Sequence, residues 1–144
     1  MIKKKLNNIL INVKKFLNIN TIYKIGEIEI LLPSDHLLPS YQKKHRTYDR
    51  FLYYLVSSLE DDSSVIDVGA NIGDTVCSMI QSNSHLNYYC IEGDNYFYSY
   101  LLKNIKKIEK NLKDNKLLSK IKCFNNLIGF HKVGILRDLG EPKS

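Results

Sequence analysis

Four residues in the middle of the chain have the types and the spacing of a ligand-binding site. Asp67 and Gly69 lie in the stretch VIDVGANIGDTV. Gly73 is the fourth residue after Gly69, and Glu92 is the 25th residue after Asp67. Gly69 lets the backbone bend and approach a ligand without an intervening side chain. Gly73 allows the same close approach at the start of a helix, where free N–H groups face the ligand. The spacing therefore predicts a ligand-binding turn that lies in the chain between Asp67 and Glu92.

The acidic residues distinguish two classes of ligand. Dinucleotide sites place a pyrophosphate against a G-x-G-x-x-G turn, whereas this chain has G-x-x-x-G flanked by Asp67 and Asp74. Two carboxylates repel a pyrophosphate and attract an ammonium or sulfonium group. Glu92 ends the next predicted strand, where an acid accepts hydrogen bonds from two ribose hydroxyls. The structural alternative is that Asp67 caps the turn and Glu92 is a solvated strand end.

The elements that must position these residues alternate between strand and helix. We predict a short buried strand at SVIDVGA, a helix at NIGDTVCSMIQSN, a strand at 87–93, a long helix from Asp94 and a strand at 120–129. This order predicts half of a doubly wound parallel α/β sheet that binds its ligand at the carboxyl edge. The inward face of the long helix is predicted to carry Phe97, Tyr100, Leu101, Ile105, Ile108 and Leu112.

The residues before this unit suggest an extension of the domain. Residues 1–20 have the pattern of a basic amphipathic helix, for which packing on its own domain or on a neighbouring subunit is favoured over contact with an anionic membrane surface. YKIGEIEILLP predicts one half-exposed strand, Pro33 and Pro39 indicate a loop, and residues 47–59 predict a second amphipathic helix. We therefore divide the chain into an extension (1–45) and a ligand-binding domain (46–144).

Composition limits the classes of partner and the compartment. The net charge of +6 comes from 18 lysines and only 3 arginines, and nucleic-acid sites favour arginine. We therefore interpret the charge as compositional and expect no nucleic-acid partner. The three scattered cysteines predict reduced, mostly buried thiols in a cytoplasmic protein, with neither a metal site nor a disulfide. No stretch reaches the ~18 apolar residues of a membrane span.

The stretches VIDVGANIGDTV and YYCIEGDNYFYSYLLKNI together resemble the FkbM family of class I S-adenosylmethionine-dependent methyltransferases. The resemblance covers roughly residues 49–129. It implies a Rossmann-like fold, S-adenosylmethionine as cofactor, and methyl transfer to a hydroxyl of a sugar or another small metabolite. The cofactor-binding residues that it implies are Asp67, Gly69, Ala70, Asn71, Gly73, Asp74, Thr75, Glu92, Asp94, Asn95, Asn126 and Leu127.

The resemblance also implies a role for each of these residues. Asp67 would hold the methionine end of the cofactor, the residues from Gly69 to Gly73 would form the turn around it, and Glu92 would bind the ribose. Asp74 and Thr75 would cap the following helix. The residues expected to border the adenine are Asp94, Asn95, Asn126 and Leu127. No catalytic residue is implied, and we interpret His36, His45 and His131 as surface histidines.

The family fold continues through a fourth strand beside the first and through an acceptor pocket, whereas this chain stops soon after its third strand. We therefore expect the amino-terminal half of a methyltransferase, truncated or split, with the open edge of VIDVG available to a complementing chain or a second copy. One alternative is a non-catalytic fragment that binds S-adenosylmethionine or a nucleoside. Another is a basic amphipathic interaction protein with a vestigial turn, although the presence of both Asp67 and Glu92 argues against it.

Overall fold

The computed structural model describes residues 20–45, 47, 50–114 and 120–127. The helix predicted over residues 1–20 lies outside them except for Asn20, as does the end of the strand predicted at 120–129 beyond residue 127. The described elements are strands β1 (Thr21–Ile25), β2 (Ile28–Leu32), β3 (Ser64–Val68), β4 (Asn87–Ile91) and β5 (Lys120–Phe124), and helices α1 (Leu38–Lys44), α2 (Arg50–Ser57), α3 (Asp74–Ile80) and α4 (Asn95–Asp114).

Strands β3, β4 and β5 form a parallel sheet in that order. Helix α3 connects β3 to β4, and α4 connects β4 to β5, so the prediction of a partial parallel α/β sheet is confirmed. Asp67, Cys90 and Cys123 occupy one register position across the three strands. They therefore share one face of the sheet, and Cys90 on this face belongs to the hydrophobic core.

Strand β3 differs from the buried strand predicted at SVIDVGA. Val65 and Asp67 are half-buried, but Ile66 and Val68 are 65% and 59% exposed. Among the described residues β3 pairs only with β4, and successive side chains of a strand point to opposite faces. The prediction of a fully buried strand is therefore wrong for one of its two faces.

The segment before β3 contains more regular structure than predicted. Instead of one strand, β1 and β2 form an antiparallel hairpin, with Gly26 at φ +55° in the two-residue connection. Glycine adopts this left-handed conformation readily, as short hairpin turns require. The predicted loop is present over residues 33–37, but helix α1 begins at Leu38 and includes Pro39 in its first turn, where the missing N–H of proline removes no hydrogen bond.

Helix α2 is shorter than the helix predicted over residues 47–59, and its apolar residues are only partly covered. Val56 is buried, whereas Phe51 and Leu55 are 62% and 54% exposed. Helical spacing thus located the helix but did not identify which of its apolar side chains pack inward.

One hydrophobic core joins the hairpin to the α/β unit. Ile28, Ile30 and Leu32 of β2 belong to the same buried cluster as residues of α3, β4 and α4. On α4, Phe97 is half-buried, and Tyr100, Leu101, Ile105, Ile108 and Leu112 are buried, which confirms the predicted inward face. This core extends across the division placed at residues 45 and 46, and the domain bounds themselves stay a prediction.

Asn104 is a fully buried polar residue on the apolar face of α4. Its Oδ1 accepts a hydrogen bond from the Leu31 N–H at 2.7 Å, and its Nδ2 donates to the carbonyl oxygens of Leu31 at 2.9 Å and Ile72 at 2.8 Å. Buried backbone polar groups need such partners. Asn104 therefore links α4 to β2 and to the turn that follows β3.

We expect Asn104→Leu to lower the free energy of unfolding by about 3 kcal/mol, because it leaves buried backbone groups of Leu31 and Ile72 without their partner. Urea denaturation measures the change. Lys106→Leu is the control, since it introduces the same side chain at an exposed position of the same helix and should shift stability by less than about 0.5 kcal/mol. Equal losses in the two variants would contradict the role assigned to Asn104.

Candidate functional site

The turn after β3 is fixed to the end of β4 by backbone hydrogen bonds. The N–H groups of Gly69 and Ala70 both donate to the carbonyl oxygen of Ile91, at 2.9 and 3.0 Å. Gly69 and Asn71 have positive φ angles of +78° and +49°, which non-glycine residues rarely adopt. A Cβ atom added to Gly69 would meet nothing within 4 Å. Gly69 is therefore required by its φ angle, and the space beside it is open.

The carboxylate of Glu92 connects this turn to the start of α4. Its Oε2 accepts a hydrogen bond from the Asn71 N–H at 2.8 Å, and its Oε1 accepts one from the Asp94 N–H at 2.8 Å. An ionised carboxylate has about four acceptor positions, so each oxygen can accept one further hydrogen bond. Glu92 thus holds two loops at the carboxyl edge of the sheet and still has acceptor capacity for a ligand.

A cavity of about 560 Å³ opens over the turn. The predicted residues that line it are Gly69, Asn71, Asp74 and Thr75. The other lining residues, to which we assigned no part in the site, are Asp35, His36, Leu37, Leu38, Tyr41, Tyr96 and Phe97. Asp67 and Glu92 are not among the described residues that line it. The missed wall comes mainly from residues 35–41, which the sequence analysis placed in an extension outside the binding domain.

The start of α3 differs from the predicted arrangement. Gly73, at φ +86°, is the N-cap residue, so the cap position falls one residue before the predicted Asp74. Asp74 lies in the first turn of the helix, where its charge is favourable to the helix dipole, and the capping role of Asp74 and Thr75 stays a prediction. A Cβ atom on Gly73 would lie 2.9 Å from Leu101 Cδ1, so Gly73 permits close packing of the turn against α4.

The residues expected near the adenine surround the ends of β4 and β5. Asp94 caps α4, with its Oδ1 accepting hydrogen bonds from the N–H groups of Tyr96 at 2.7 Å and Phe97 at 3.2 Å. Asn95 opens this helix and is exposed. Across the sheet edge, a Cβ atom on Gly93 would collide with the side chain of Leu127 and approach the Asn126 carbonyl oxygen to 3.2 Å. Leu127 is 82% exposed.

The structure does not confirm the interpretation of His36 as a surface histidine. Its side chain is half-buried and packs edge-to-face on Phe97, with ring centroids 6.0 Å apart. Its Nδ1 accepts a hydrogen bond from the Leu38 N–H at 3.2 Å, and its Nε2 lies 3.1 Å from Asn71 Oδ1. His45 is exposed, and His131 lies outside the described residues.

The three cysteines are free thiols, with Cys77 and Cys90 buried and Cys123 half-buried. The prediction of mostly buried thiols is thus confirmed. A hydrogen bond to Cys123, burial, and the negative charge of Asp67 all raise the pKa of Cys90. The same hydrogen bond lowers the pKa of Cys123. Burial, with a contribution from the charge of Asp74, raises the pKa of Cys77 to about 12.

Two further properties concern only the described residues. No helix in ranges 20–45, 50–114 and 120–127 is long and apolar enough to cross a membrane. In the same part of the chain, no three or more His, Cys, Asp or Glu side chains are grouped so that they could hold a metal ion.

The sequence matches no protein-family model and no curated protein, but the structure is similar to solved structures. TYW2 from P. horikoshii in complex with MeSAdo has a TM-score of 0.50 at 18% identity, over 74% of this chain and 35% of that one. TYW2 from M. jannaschii in complex with AdoMet has a TM-score of 0.48 at 19% identity, over 72% of this chain and 42% of that one.

The similarity to the P. horikoshii structure shows the fold: the described residues form a Rossmann-like α/β fold with a parallel sheet. At such low identity it shows the fold alone. The chain also spans well under half the length of the two TYW2 structures, 35% and 42% of their chains.

The two glycines of the turn should differ in their tolerance of alanine. Gly69→Ala should lower the free energy of unfolding by about 1–2 kcal/mol, because only its positive φ angle opposes a side chain. Gly73→Ala adds an overlap with the buried Leu101 and should cost at least about 1 kcal/mol more. Chemical denaturation of both variants measures the difference. A Gly69→Ala variant less stable than Gly73→Ala would contradict this assignment.

The thiols should differ in their rate of alkylation by iodoacetamide at pH 8. With a pKa of about 12, only about one Cys77 in ten thousand is a thiolate at pH 8, so Cys77 should react far more slowly than Cys123. Because pH 8 lies below this pKa, the Cys77 rate should rise about ten-fold per pH unit up to pH 10. Mass spectrometry of digested samples measures each rate. Equal rates for Cys77 and Cys123 would contradict the raised pKa of Cys77.

Proposed function

We propose that the turn and cavity at the carboxyl edge of the sheet bind S-adenosylmethionine. The observation that supports this most is the position of Glu92. Glu92 directly follows β4, and its carboxylate accepts hydrogen bonds from the N–H groups of Asn71 and Asp94 and keeps one acceptor position on each oxygen. Two acceptor positions on one carboxylate suit the two hydroxyls of a ribose.

The charges and the free space around the turn are compatible with the rest of the cofactor. Asp74 lines the cavity and Asp67 lies on β3 two residues before Gly69, so the negative charge near the turn favours a ligand that carries positive charge, such as a sulfonium with an ammonium group. The open space beside Gly69 lets such a ligand lie against the backbone. The solved P. horikoshii structure of the same fold holds the adenosyl compound MeSAdo.

We further propose that the protein is a methyltransferase of the FkbM type that acts on a hydroxyl of a sugar or another small metabolite. When bound, S-adenosylmethionine supplies an activated methyl group. The chain's own residues would then mainly bind and orient the reactants, which is a large contribution to an in-line displacement. The carboxylates of Asp35 and Asp74 in the cavity wall disfavour an anionic acceptor. We assign no general base.

Two alternatives use the same chain differently. In the first, the site binds S-adenosylmethionine or a nucleoside without catalysis. In the second, the chain is an interaction protein with a vestigial turn. The exposure of Ile66 and Val68 on β3 supports a contact with a complementing chain or a second copy, and analytical ultracentrifugation measures self-association. The geometry of Glu92 favours the binding function over a vestigial turn, because we would not expect a turn without a ligand to keep a carboxylate with one open acceptor position on each oxygen.

Calorimetric titration with S-adenosylhomocysteine tests the proposal. We expect saturable binding to the purified chain, and at least a ten-fold weaker Kd in Asp67→Asn and in Glu92→Gln, since each variant loses a charge or an acceptor beside the ligand. Glu29→Gln is the matched control, because Glu29 is an exposed carboxylate on β2, and its Kd should equal that of the unaltered chain.

Thermal unfolding of each variant separates a binding defect from a folding defect. A folded chain that binds no S-adenosylhomocysteine would overturn the proposal. Binding without methyl transfer to any hydroxyl acceptor would favour the non-catalytic alternative.

A further inference from the structure

His36 joins two segments that are far apart in the sequence. It lies in the connection between β2 and α1, and its partner Asn71 lies in the turn after β3. The ring is held from a second side by Phe97, near the start of α4. Residues 35–41 therefore contribute a cavity wall that contacts the turn directly, rather than merely lying near it.

The hydrogen bonds of the ring define its protonation pattern. A backbone N–H can only donate, so the bond from the Leu38 N–H to Nδ1 requires Nδ1 to be unprotonated. The neutral imidazole then carries its hydrogen on Nε2, which donates to Asn71 Oδ1. Both ring nitrogens are occupied in this arrangement, and neither is available to remove a proton from a substrate. The geometry is that of a residue that orients its neighbour.

Asn71 is the residue of the turn that most needs such support. It has a φ of +49°, a left-handed conformation that is uncommon outside glycine. Its backbone N–H donates to Glu92 Oε2 while its side chain accepts from His36. The two bonds together hold Asn71 between the Glu92 carboxylate and the His36 imidazole.

We propose that His36 is a positioning residue of the cofactor cavity: it fixes Asn71 in its left-handed conformation and thereby keeps the Asn71 N–H on Glu92. Loss of the Nε2–H would release the Asn71 side chain, weaken the bond to Glu92 and loosen the turn. The effect on ligand affinity rests on the proposed cofactor function. The effect on the turn itself does not.

The first test measures backbone amide exchange by NMR in the ligand-free chain. In His36→Phe, which keeps the aromatic contact with Phe97 but removes the hydrogen bonds, exchange at Asn71 should accelerate about five-fold, the effect of losing one net hydrogen bond. Amides in the middle of β4 should be unchanged, which separates local loosening from global destabilisation. His85→Phe is the control, because His85 is exposed and precedes β4. Unchanged exchange at Asn71 in a folded His36→Phe chain would overturn the proposal.

A second measurement keeps the proposal testable if His36→Phe does not fold. Nitrogen-15 spectra of the imidazoles in the unaltered chain at neutral pH should show His36 as the neutral Nε2–H tautomer with a hydrogen-bonded Nδ1. The Nδ1–H tautomer at His36 would overturn the assignment.

The third test connects His36 to binding. The Kd for S-adenosylhomocysteine should weaken about three- to ten-fold in His36→Phe and recover partly in His36→Gln, whose amide can donate near the position of Nε2. In a double-mutant cycle that combines His36→Phe with Asn71→Ala, the double variant should lose no more affinity for S-adenosylhomocysteine than Asn71→Ala alone. Fully additive losses would contradict the coupling. Absence of binding by the unaltered chain would count against the cofactor proposal, while amide exchange still decides the role of His36.

Discussion

The arrangement of the site depends on the hydrogen bonds of the buried Asn104 side-chain amide. β2 lies beside α4, so the N–H and C=O of Leu31 would face a helix that offers them no backbone partner, and the Asn104 side chain supplies both. The same amide donates to Ile72 in the binding turn. One side chain therefore determines how the hairpin, the long helix and the turn meet, and satisfied buried polar groups of this kind specify a single packing.

The turn is held at its other side by groups of β4. The Ile91 carbonyl accepts the N–H groups at the start of the turn, and the Glu92 carboxylate accepts the next one, at Asn71. The strand end thus determines the path of a segment whose positive φ angles would otherwise be costly. Since Glu92 is also the residue best placed to receive a ribose, the group that shapes the turn is the group that we propose recognises the ligand.

The elements that follow β3 were predictable because their signals are local. Alternating short apolar stretches and long amphipathic segments define β3 to β5 with α3 and α4, and the glycines and acids of the turn mark the ligand edge. The segment before β3 was harder to predict. Gly26 was not identified as a hairpin turn, Pro39 was assigned to a loop, and His36 had no partner nearby in the sequence. Its partner Asn71 is 35 residues away. Asn104 did leave a signal, as a polar residue within the apolar face of α4.

By itself the sequence determined the α/β order, the glycine turn after β3 and the acid that follows β4, because periodicity, glycine and strand-end position act over a few residues. The tertiary structure alone decided which side chains surround the turn. It brought residues between Asp35 and Tyr41 into one cavity wall with Asn71, left one face of β3 exposed, and left Asp67 out of the cavity wall. These outcomes depend on which elements pack against each other, and that is set by burial and hydrogen bonding between residues distant in the chain.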